Sequence, residues 1–345
     1  MKNLLRLFFA FGLIASLSIS IGFAQNPQFK LIKKTVLGGE GGWDYLSVDS
    51  ENRRLYVSHG GQVEVINVDT HERVGVIPNL QGVHGVIAVP KSGRGITTNG
   101  RSNTATIFDL KTLAKIVELP TGKNPDALMY DAFSNRVFIF NHSDVTTTAI
   151  DISEGKVIGT VDLGGTALEA GTSDGKGTIY VNLEDDSKIV SFDAKTLAVR
   201  NTWSISPGEE PTGLAIDVKT KRLMTVCHNE LMMILNSETG AVVAQVPIGK
   251  RVDGVVFDPK SKLAFSSNGE GTVTVVQEIS ANEFKVIETI KTEPGARTIA
   301  FDPKTQHIFL STAQYGTPAA ATAENPNPRP PVIPGTFMVL EYGKK

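Results

Sequence analysis

The chain has 345 residues, a formal net charge of −2 at pH 7, and 20% charged residues. Its 34 lysines and arginines are dispersed and form no basic stripe, so the composition argues against nucleic-acid binding. A single cysteine, Cys227, excludes a disulfide within the chain, and stability must therefore come from an apolar core.

The first 24 residues do not share the pattern of the rest of the chain. Lys2 and Arg6 precede an apolar run over 7–21, and the small residues Gly22 and Ala24 follow at positions that a signal peptidase needs. We expect 1–24 to be a signal peptide, the protein to be periplasmic or secreted, and the mature chain to lack a membrane span. The alternative is an uncleaved membrane anchor, because the apolar run is nearly long enough to cross a bilayer.

The remaining chain repeats one pattern seven times: a short apolar strand, a turn, a second strand, a tight turn and a third strand, as in Val252–Val276. The residues that close the first strands are separated by 41, 41, 43, 43, 41 and 44 positions; they are Asp49, Pro90, Asp131, Asp174, Asp217, Asp258 and Asp302. This period, built from strands without helices, is typical of a β-propeller blade. We therefore predict an all-β, seven-bladed β-propeller with four-stranded blades, occupying 25–345 as a single domain.

The two chain ends are predicted to complete one blade together. The seventh copy supplies only three strands from the C-terminal part, and residues 29–37 read like the outermost strand of a blade. Pairing them closes the ring and leaves no strand edge between the first and last blades. The Pro-rich stretch 317–334 cannot join a ladder and is predicted to be a surface loop inserted in the last blade, either a lid, a partner site or a spacer.

Polar residues recur five positions before each marker, where the innermost strand of a propeller blade begins at one face of the ring. This step reaches Asp44, Gly85 with His84 beside it, Asp126, Glu169, Thr212, Asp253 and Arg297. Several carboxylates at one opening repel each other, and a cation, an arginine or a ligand must offset that repulsion. The positions thus predict a polar site at the mouth of the central channel, although turn formation alone also favours aspartate there.

A second, wider circle of polar residues is expected on the same face, at the ends of the second strands. It comprises His59, Asn99, Asn141 with His142, Asn182 with Glu184, His228 with Asn229, Asn268 and Thr312. Four of the six histidines, His59, His84, His142 and His228, would then face one mouth, while His71 and His307 lie elsewhere. Turns favour asparagine for backbone reasons, so a structural role for the asparagines is the competing interpretation.

Three uses of these residues remain open from sequence. Simple capture of a polar ligand would use Asp44, His59, His84, Asp126, Asn141, Glu169, Asn182, Asp253, Asn268 and Arg297. A divalent metal ion would select from His59, His84, His142, His228 and Asp253, because imidazole with carboxylate suits zinc, copper, nickel or iron. Acid–base chemistry would use His84 or His228 as proton carrier, Glu169 or Asp126 to orient it, and Arg297 to hold an oxyanion.

Several repeats share a local motif that carries a family resemblance. RLYVSHG at 54–60, TIYVNLED at 178–185, NPDALMYD at 124–131, EPTGLAID at 210–217, VDGVVFDP at 252–259 and GARTIAFD at 295–302 are similar to the YVTN repeats of YncE-like exported seven-bladed β-propellers. The resemblance implies the fold and export, and family members have been connected with cell-surface roles and nucleic-acid binding. His59 stands where the family motif has an amide, which places a titrating side chain at that position.

We therefore expect an exported, monomeric propeller that binds a polar small molecule, a peptide or a metal ion at the channel mouth. One alternative is a metal-assisted or histidine-based hydrolase or lyase, resembling propeller lactonases, that acts on a small oxyanionic substrate. The lactonase comparison uses Glu169, Asn182 and Asp253, and a comparison with lyase and muconate-cyclising propellers uses His228, Glu169 and Arg297; both are at the level of fold. A second alternative is a scaffold whose faces bind a protein or a cell-envelope polymer.

Overall fold

The computed structural model describes residues 28–320, 322 and 328–344, and the predicted signal peptide lies outside them. These residues form seven antiparallel four-stranded sheets, which confirms the predicted all-β propeller. The inner strands of consecutive blades contact one another in circular order, and the inner strand of blade 1 contacts that of blade 7. In the described residues no helix is long and apolar enough to cross a membrane.

Each blade is numbered in chain order, and its strands are given from the channel outward. Blades 1 to 3 comprise Trp43–Asp49, Arg54–His59, Gln62–Asn67 and Arg73–Ile77; Val83–Val89, Arg94–Asn99, Thr104–Asp109 and Lys115–Pro120; Pro125–Asp131, Arg136–Asn141, Thr146–Asp151 and Lys156–Asp162. Blades 4 to 6 comprise Leu168–Ser173, Thr178–Leu183, Lys188–Asp193 and Val199–Ser204; Pro211–Asp217, Arg222–Cys227, Leu231–Asn236 and Val242–Pro247; Val252–Asp258, Leu263–Asn268, Thr272–Ser280 and Glu283–Lys291. Blade 7 comprises Ile299–Asp302, His307–Thr312, Met338–Lys344 and Phe29–Val36, and a 3-10 turn spans Pro90–Ser92.

The ring closes through the two chain ends, as predicted. Strand Phe29–Val36 pairs antiparallel with Met338–Lys344, from Phe29 opposite Lys344 to Val36 opposite Met338. Phe29 is buried and meets Phe265 of blade 6 edge to face, with ring centroids 5.1 Å apart. The N-terminal strand therefore supplies the outermost strand of the last blade's sheet and one side chain, Phe29, of its apolar core.

The repeated aspartates stabilise the turns that they open. The Asp49 carboxylate accepts hydrogen bonds from the backbone N–H groups of Glu51 and Asn52 at 3.1 and 3.0 Å, and Asp258 makes equivalent bonds to Lys260 and Ser261. Both aspartates are buried. Because a buried carboxylate must be hydrogen-bonded, this local chemistry explains why the marker recurs.

Neighbouring blades are tied by a second repeated contact at the same end of the strands as these turns. Arginines at the start of second strands donate to turn carbonyls one blade further on, as Arg94 does to Ile152 and Arg136 to Ala194 at 2.8 and 2.7 Å. Blade 7 has His307 at this position. Its Nδ1 lies 2.7 Å from Glu341, and the other oxygen of Glu341 lies 2.6 Å from Nε2 of His71 in blade 1. His71 and His307 thus belong to the ring junction, away from the mouth, as predicted.

Apolar side chains fill the spaces between blades, with Phe108, Phe138, Phe140, Phe192 and Phe265 among the largest that are fully buried. Cys227 is buried in the same manner, and burial raises the pKa of its thiol to about 12. It is therefore a core residue without thiolate reactivity. The base of the Pro-rich insertion is fixed by a bridge between Tyr315 and Val332 and by the hydrogen bond from Gly316 N–H to the Pro331 carbonyl.

Candidate functional site

The first strands do not enter the channel as regular strands. In blades 1 to 6 the register of the inner strand with its neighbour shifts within its first few residues, for example between Trp43 and Leu46 and between Pro125 and Leu128. Such a bulge turns a side chain away from the regular alternation. We call the residues at this position, with Arg297 of blade 7, the inner circle: Asp44, His84, Asp126, Glu169, Thr212, Asp253 and Arg297.

The first cluster of the inner circle joins blades 1, 2 and 3. Nδ1 of His84 lies 2.7 Å from Asp44 Oδ2 and 3.6 Å from Asp126 Oδ1. The ring occupies space that Gly100 leaves free, since a Cβ at residue 100 would lie 2.6 Å from His84 Nε2. The sequence thus positions an imidazole between two carboxylates by omitting a side chain next to it.

The second cluster joins blades 3 and 4 and receives one side chain from blade 1. Nδ1 of His142 lies 3.2 Å from Glu169 Oε1 and 3.1 Å from the Leu168 carbonyl. The hydroxyl of Tyr45 donates to Glu169 Oε2 at 3.4 Å. Tyr45 also packs against the core cluster between blades 3 and 4, so its side chain crosses the channel below the mouth.

The third cluster is an ion pair between blades 6 and 7. Arg297 lies 2.9 Å from Asp253 Oδ2 and 3.6 Å from Asp44 Oδ1. The Arg297 side chain remains 45% exposed although its charge is paired. It therefore offsets part of the negative charge of the mouth and still faces solvent.

The mouth carries more negative charge than its partners neutralise. Burial raises the pKa of Asp126 to about 7, with the charges of Asp44 and Asp253 adding to the effect. Burial likewise raises the pKa of Glu169 to about 8 and, despite Arg297, that of Asp253 to about 6. The hydrogen bond to Glu169 raises the pKa of His142 to about 9. Burial alone would lower the pKa of His84, but Asp44 and Asp126 raise it above its usual value.

An additional layer of side chains covers only one side of the mouth. The residue after the second strand is Gly60, Gly100 or Gly269 in blades 1, 2 and 6, whereas blades 3, 4 and 5 carry His142, Glu184 and His228 there. His142 reaches the inner circle. His228 instead lies 3.1 Å from Glu210 and 3.8 Å from Glu184, outside the two clusters that contain His84 and His142.

The ends of the second strands form what we call the outer circle, defined by His59, Asn99, Asn141, Asn182 and Asn268. Asn141 and Asn268 are fully buried, and each Nδ2 donates to two threonines of the same hairpin at 2.9 to 3.0 Å. Asn99 has the same pattern. The amide donors of Asn141 and Asn268 therefore close their hairpins, and a ligand-binding role for these two residues stays a prediction.

Asn182 has a different structural role. It lies one residue before the strand end, is fully buried, and donates to the carbonyls of Thr212 and Gly213 in the next blade at 2.8 and 3.2 Å. Thr98 makes the equivalent tie to the Asp126 carbonyl at 2.6 Å. Asn182 thus makes an inter-blade contact that holds an inner strand in place, and its ligand role stays a prediction.

His59 is the member of the outer circle that departs from the asparagine pattern. It is 2% exposed, stacks on Phe337 with centroids 4.1 Å apart, and lies 3.6 Å from the buried Glu64. Gly39 lies over its ring, where a Cβ would come within 2.8 Å of Cε1. His59 therefore belongs to a buried pair inside blade 1 and is not part of the metal-type clusters at the mouth.

The sequence did not single out Tyr45 as a residue of the site. In blade 2 it placed the inner-circle position at Gly85, one residue after His84. The residue after the inner circle is Gly85, Ala127, Ala170, Gly213 or Gly254 in five blades, and the large Tyr45 in blade 1 breaks that pattern. The blade 2 strand ends at Val89 and not at Pro90, so His84 rather than Gly85 is the equivalent position. Tyr45 and the His84 offset can both be seen in the sequence. They can be recognised only after the bulges in the inner strands have shown which residues of the seven blades are equivalent.

Beyond the mouth, many of the residues that line the channel are apolar. A cavity of about 410 Å³ lies further along the inner strands and is lined by residues such as Leu46, Leu214, Ile216, Phe257 and Ile299. Among the described residues, the groups of three metal-type donors lie at the mouth, whereas the aspartates at the far ends of the inner strands accept hydrogen bonds from their own turns.

Comparisons with known proteins describe the fold and leave the activity open. No family model and no curated protein matches the chain. Among solved structures, a chain of "Crystal Structure of Mitotic Checkpoint Complex" is similar, with TM-score 0.74, 14% identity, and 99% of both chains covered. A chain of "Kuenenia stuttgartiensis Hydrazine Synthase" has TM-score 0.69 and 14% identity, covering 84% of this chain and 96% of that one. At this identity the likeness supports the seven-bladed propeller and nothing about function.

Proposed function

We propose that the channel mouth binds a divalent transition-metal cation. The observation that carries this proposal is a pair of donor sets, Asp44–His84–Asp126 and Asp126–His142–Glu169, in each of which the ligand atoms lie within 4.8 Å of one another. Bonds of about 2 Å from a shared ion are compatible with that spacing. The three carboxylates are at most 15% exposed, so they are held in place by the surrounding blades.

The donor types favour a first-row metal. Each set combines one imidazole with two carboxylates, a mixture that suits zinc and, by the same chemistry, copper, nickel or iron(II). Calcium prefers six to eight oxygen ligands and magnesium keeps several waters, so neither is matched by an imidazole at the centre. A cation also offsets the repulsion that raises the pKa values of Asp126 and Glu169.

Metal analysis tests the proposal. The full-length protein is purified without chelators, its metal content is measured by mass spectrometry, and Zn²⁺ binding is measured by calorimetry. We expect Asp126→Asn to lose binding, whereas Asp109→Asn, an aspartate in an outer hairpin turn, keeps it. Equal binding by both variants would show that the zinc is adventitious and would overturn the proposal.

Arg297 favours a second candidate function at the same place. Its partly exposed guanidinium lies beside Asp44, a member of the first donor set, and can hold an oxyanion next to the metal. Hydrolysis or elimination on a small oxyanionic substrate would use that arrangement. Zinc-dependent turnover of lactones, lost in Arg297→Lys with metal binding retained, would favour this enzyme; binding without turnover of any lactone tested would favour the simple metal-binding function.

We also propose that the protein is a periplasmic or secreted member of the YncE-like YVTN-repeat propellers. The support is the repeated motif, the predicted signal peptide and the propeller fold. Fractionation of cells expressing the full chain, with N-terminal sequencing of the product, tests export. Recovery of the uncleaved chain in the cytoplasm would contradict it.

A further inference from the structure

The two donor sets share one residue. Asp126 belongs to both, whereas Asp44 and His84 belong only to the first and His142 and Glu169 only to the second. Each histidine makes its short contact to a different terminal carboxylate, at 2.7 Å for His84 with Asp44 and 3.2 Å for His142 with Glu169. The arrangement is therefore two half-sites that meet at a common carboxylate.

The shared carboxylate is itself incompletely bonded. Asp126 Oδ1 is buried and accepts no hydrogen bond, and His84 Nδ1 lies 3.6 Å from it. A buried carboxylate oxygen without a donor is costly, and a cation supplies the missing partner. The main chain of Asp126 is fixed by the Thr98 hydroxyl, which donates to its carbonyl at 2.6 Å. The orphaned oxygen is thus held at the junction of the two sets.

We propose that the mouth is a binuclear site in which Asp126 bridges two divalent cations. The first cation is bound by Asp44 and His84 and the second by His142 and Glu169, each with one oxygen of Asp126. A carboxylate has two oxygens with separate lone pairs, so it can serve both ions. This inference rests on the proposed metal-binding function and specifies its stoichiometry and its bridging ligand.

The formal charge of the carboxylates at the mouth is compatible with two divalent cations. The two sets carry three carboxylates, and Asp253 adds a fourth that is paired with Arg297. One divalent cation leaves a formal charge of −1 on the three carboxylates, and two leave +1. A water-derived or oxyanion ligand bound between the two ions would balance that positive charge.

Titration of the full-length protein with Zn²⁺, monitored by calorimetry, tests the bridge. We expect two ions per chain in the wild type, one in His84→Asn, one in His142→Asn, and none in Asp126→Asn. His228→Asn is the matched control, because His228 lies outside both sets; it should retain two. Thermal melts of all variants establish that each is folded at the temperature of the titration.

A spectroscopic measurement distinguishes a bridged pair from two unrelated ions. With Cu²⁺ as the probe, the wild type should show a spin-coupled electron paramagnetic resonance signal, and His84→Asn and His142→Asn should each show the uncoupled signal of one ion. One ion per chain, weakened by both histidine substitutions and lost in Asp126→Asn, would overturn the bridge and leave the proposed function standing. Two uncoupled ions would also overturn it. Absence of binding, or equal binding by Asp126→Asn, would overturn both.

Discussion

The inner and outer circles lie on one face of the same ring, yet their polar residues have opposite roles. In the outer circle, Asn268 is fully buried and bonded to threonines of its own hairpin. In the inner circle, His84 contacts carboxylates that come from two other blades. Near the axis, where the innermost strands approach one another, side chains of three blades meet at one point. The distance from the axis therefore separates residues that hold a blade together from residues that form a shared site.

In blade 1, other residues replace the asparagine and two threonines that the outer circle has in other blades. Where blade 3 has Asn141 with Thr146 and Thr148, blade 1 has His59 with Gln62 and Glu64. Gln62 donates to Glu64 at 2.7 Å, and Arg73 lies 3.1 Å from the other carboxylate oxygen. Burial alone would raise the pKa of Glu64, but His59, Gln62 and Arg73 together hold it below its usual value. The charged residues of blade 1 thus contact one another within the blade, but neither ring nitrogen of His59 has a hydrogen-bond partner in the described part of the chain.

The largest expected effect belongs to the inner circle. Glu169→Gln keeps the size of the side chain but removes a charged ligand, so we expect Zn²⁺ affinity to fall by about 100-fold. The free energy of unfolding of the metal-free protein should not fall, because the buried charge that is removed repels its neighbours. Calorimetric titration and chemical denaturation measure the two effects. A stability loss with unchanged affinity would place Glu169 with the structural residues.

The opposite result is expected in the outer circle. Asn268→Ala removes the donors to Thr272 and Thr274 and the acceptor for Ser266, and of these partners Thr274 and Ser266 are buried. We expect the free energy of unfolding to fall by about 1–3 kcal/mol, because buried polar groups lose their partners. Zn²⁺ affinity should be unchanged. A loss of affinity in folded Asn268→Ala protein would break the distinction between the two circles.

The pH dependence of stability provides a third comparison. The folded-state pKa values of Asp126, Glu169 and Asp253 are about 7, 8 and 6, above their ordinary values of 3.8 or 4.5, and that of His142 is about 9, above 6.5. A raised folded-state pKa contributes stability at low pH that is lost as the pH rises through that value. The melting temperature of the metal-free protein should therefore fall by several degrees between pH 5 and pH 9.

Saturating Zn²⁺ should remove or reverse that trend, because metal binding requires the deprotonated ligands and strengthens as the pH rises. Asp126→Asn should flatten the slope of the metal-free protein, whereas Asn268→Ala should shift the whole curve without changing its slope. Differential scanning calorimetry across the pH range measures these curves. A melting temperature that rises from pH 5 to pH 9 without metal would contradict the charge distribution described for the mouth.

The smallest effect is expected from restoring the common pattern in blade 1. The triple substitution His59→Asn, Gln62→Thr and Glu64→Thr gives blade 1 the residue types that blade 3 has at Asn141, Thr146 and Thr148. We expect the free energy of unfolding to change by no more than about 1.5 kcal/mol, the contribution of one hydrogen bond. Zn²⁺ stoichiometry and affinity should match the wild type. If the triple variant bound less zinc, His59 would have to be counted with the mouth after all.

The fold was predictable because its signals are local and repeated. The turn-opening aspartates, such as Asp49 and Asp258, satisfy their own hairpins, so they mark each blade in sequence. The missing fourth strand of blade 7 followed from counting strands, and the structure confirms that Phe29–Val36 supplies it.

The site was predictable only in part, because its geometry depends on contacts between blades. The sequence placed Asp44, Asp126 and Glu169 at the channel, but it gave no reason to separate them from Asn141 or His59. Burial decides that separation, and burial of a strand end depends on neighbouring blades and on loops such as Gly38–Gly42. The bulges that turn the inner circle toward the axis, and the crossing of the channel by Tyr45, likewise arise from packing that no local motif encodes.

The most direct measurement is a crystal structure of the full-length protein grown with Zn²⁺, with anomalous diffraction recorded on both sides of the zinc absorption edge. The account predicts anomalous peaks on either side of the Asp126 carboxylate, one contacted by Asp44 and His84 and the other by His142 and Glu169. Zinc bound only at surface histidines, with Asp126 still without a partner, would contradict the claim that the inner circle is a metal site.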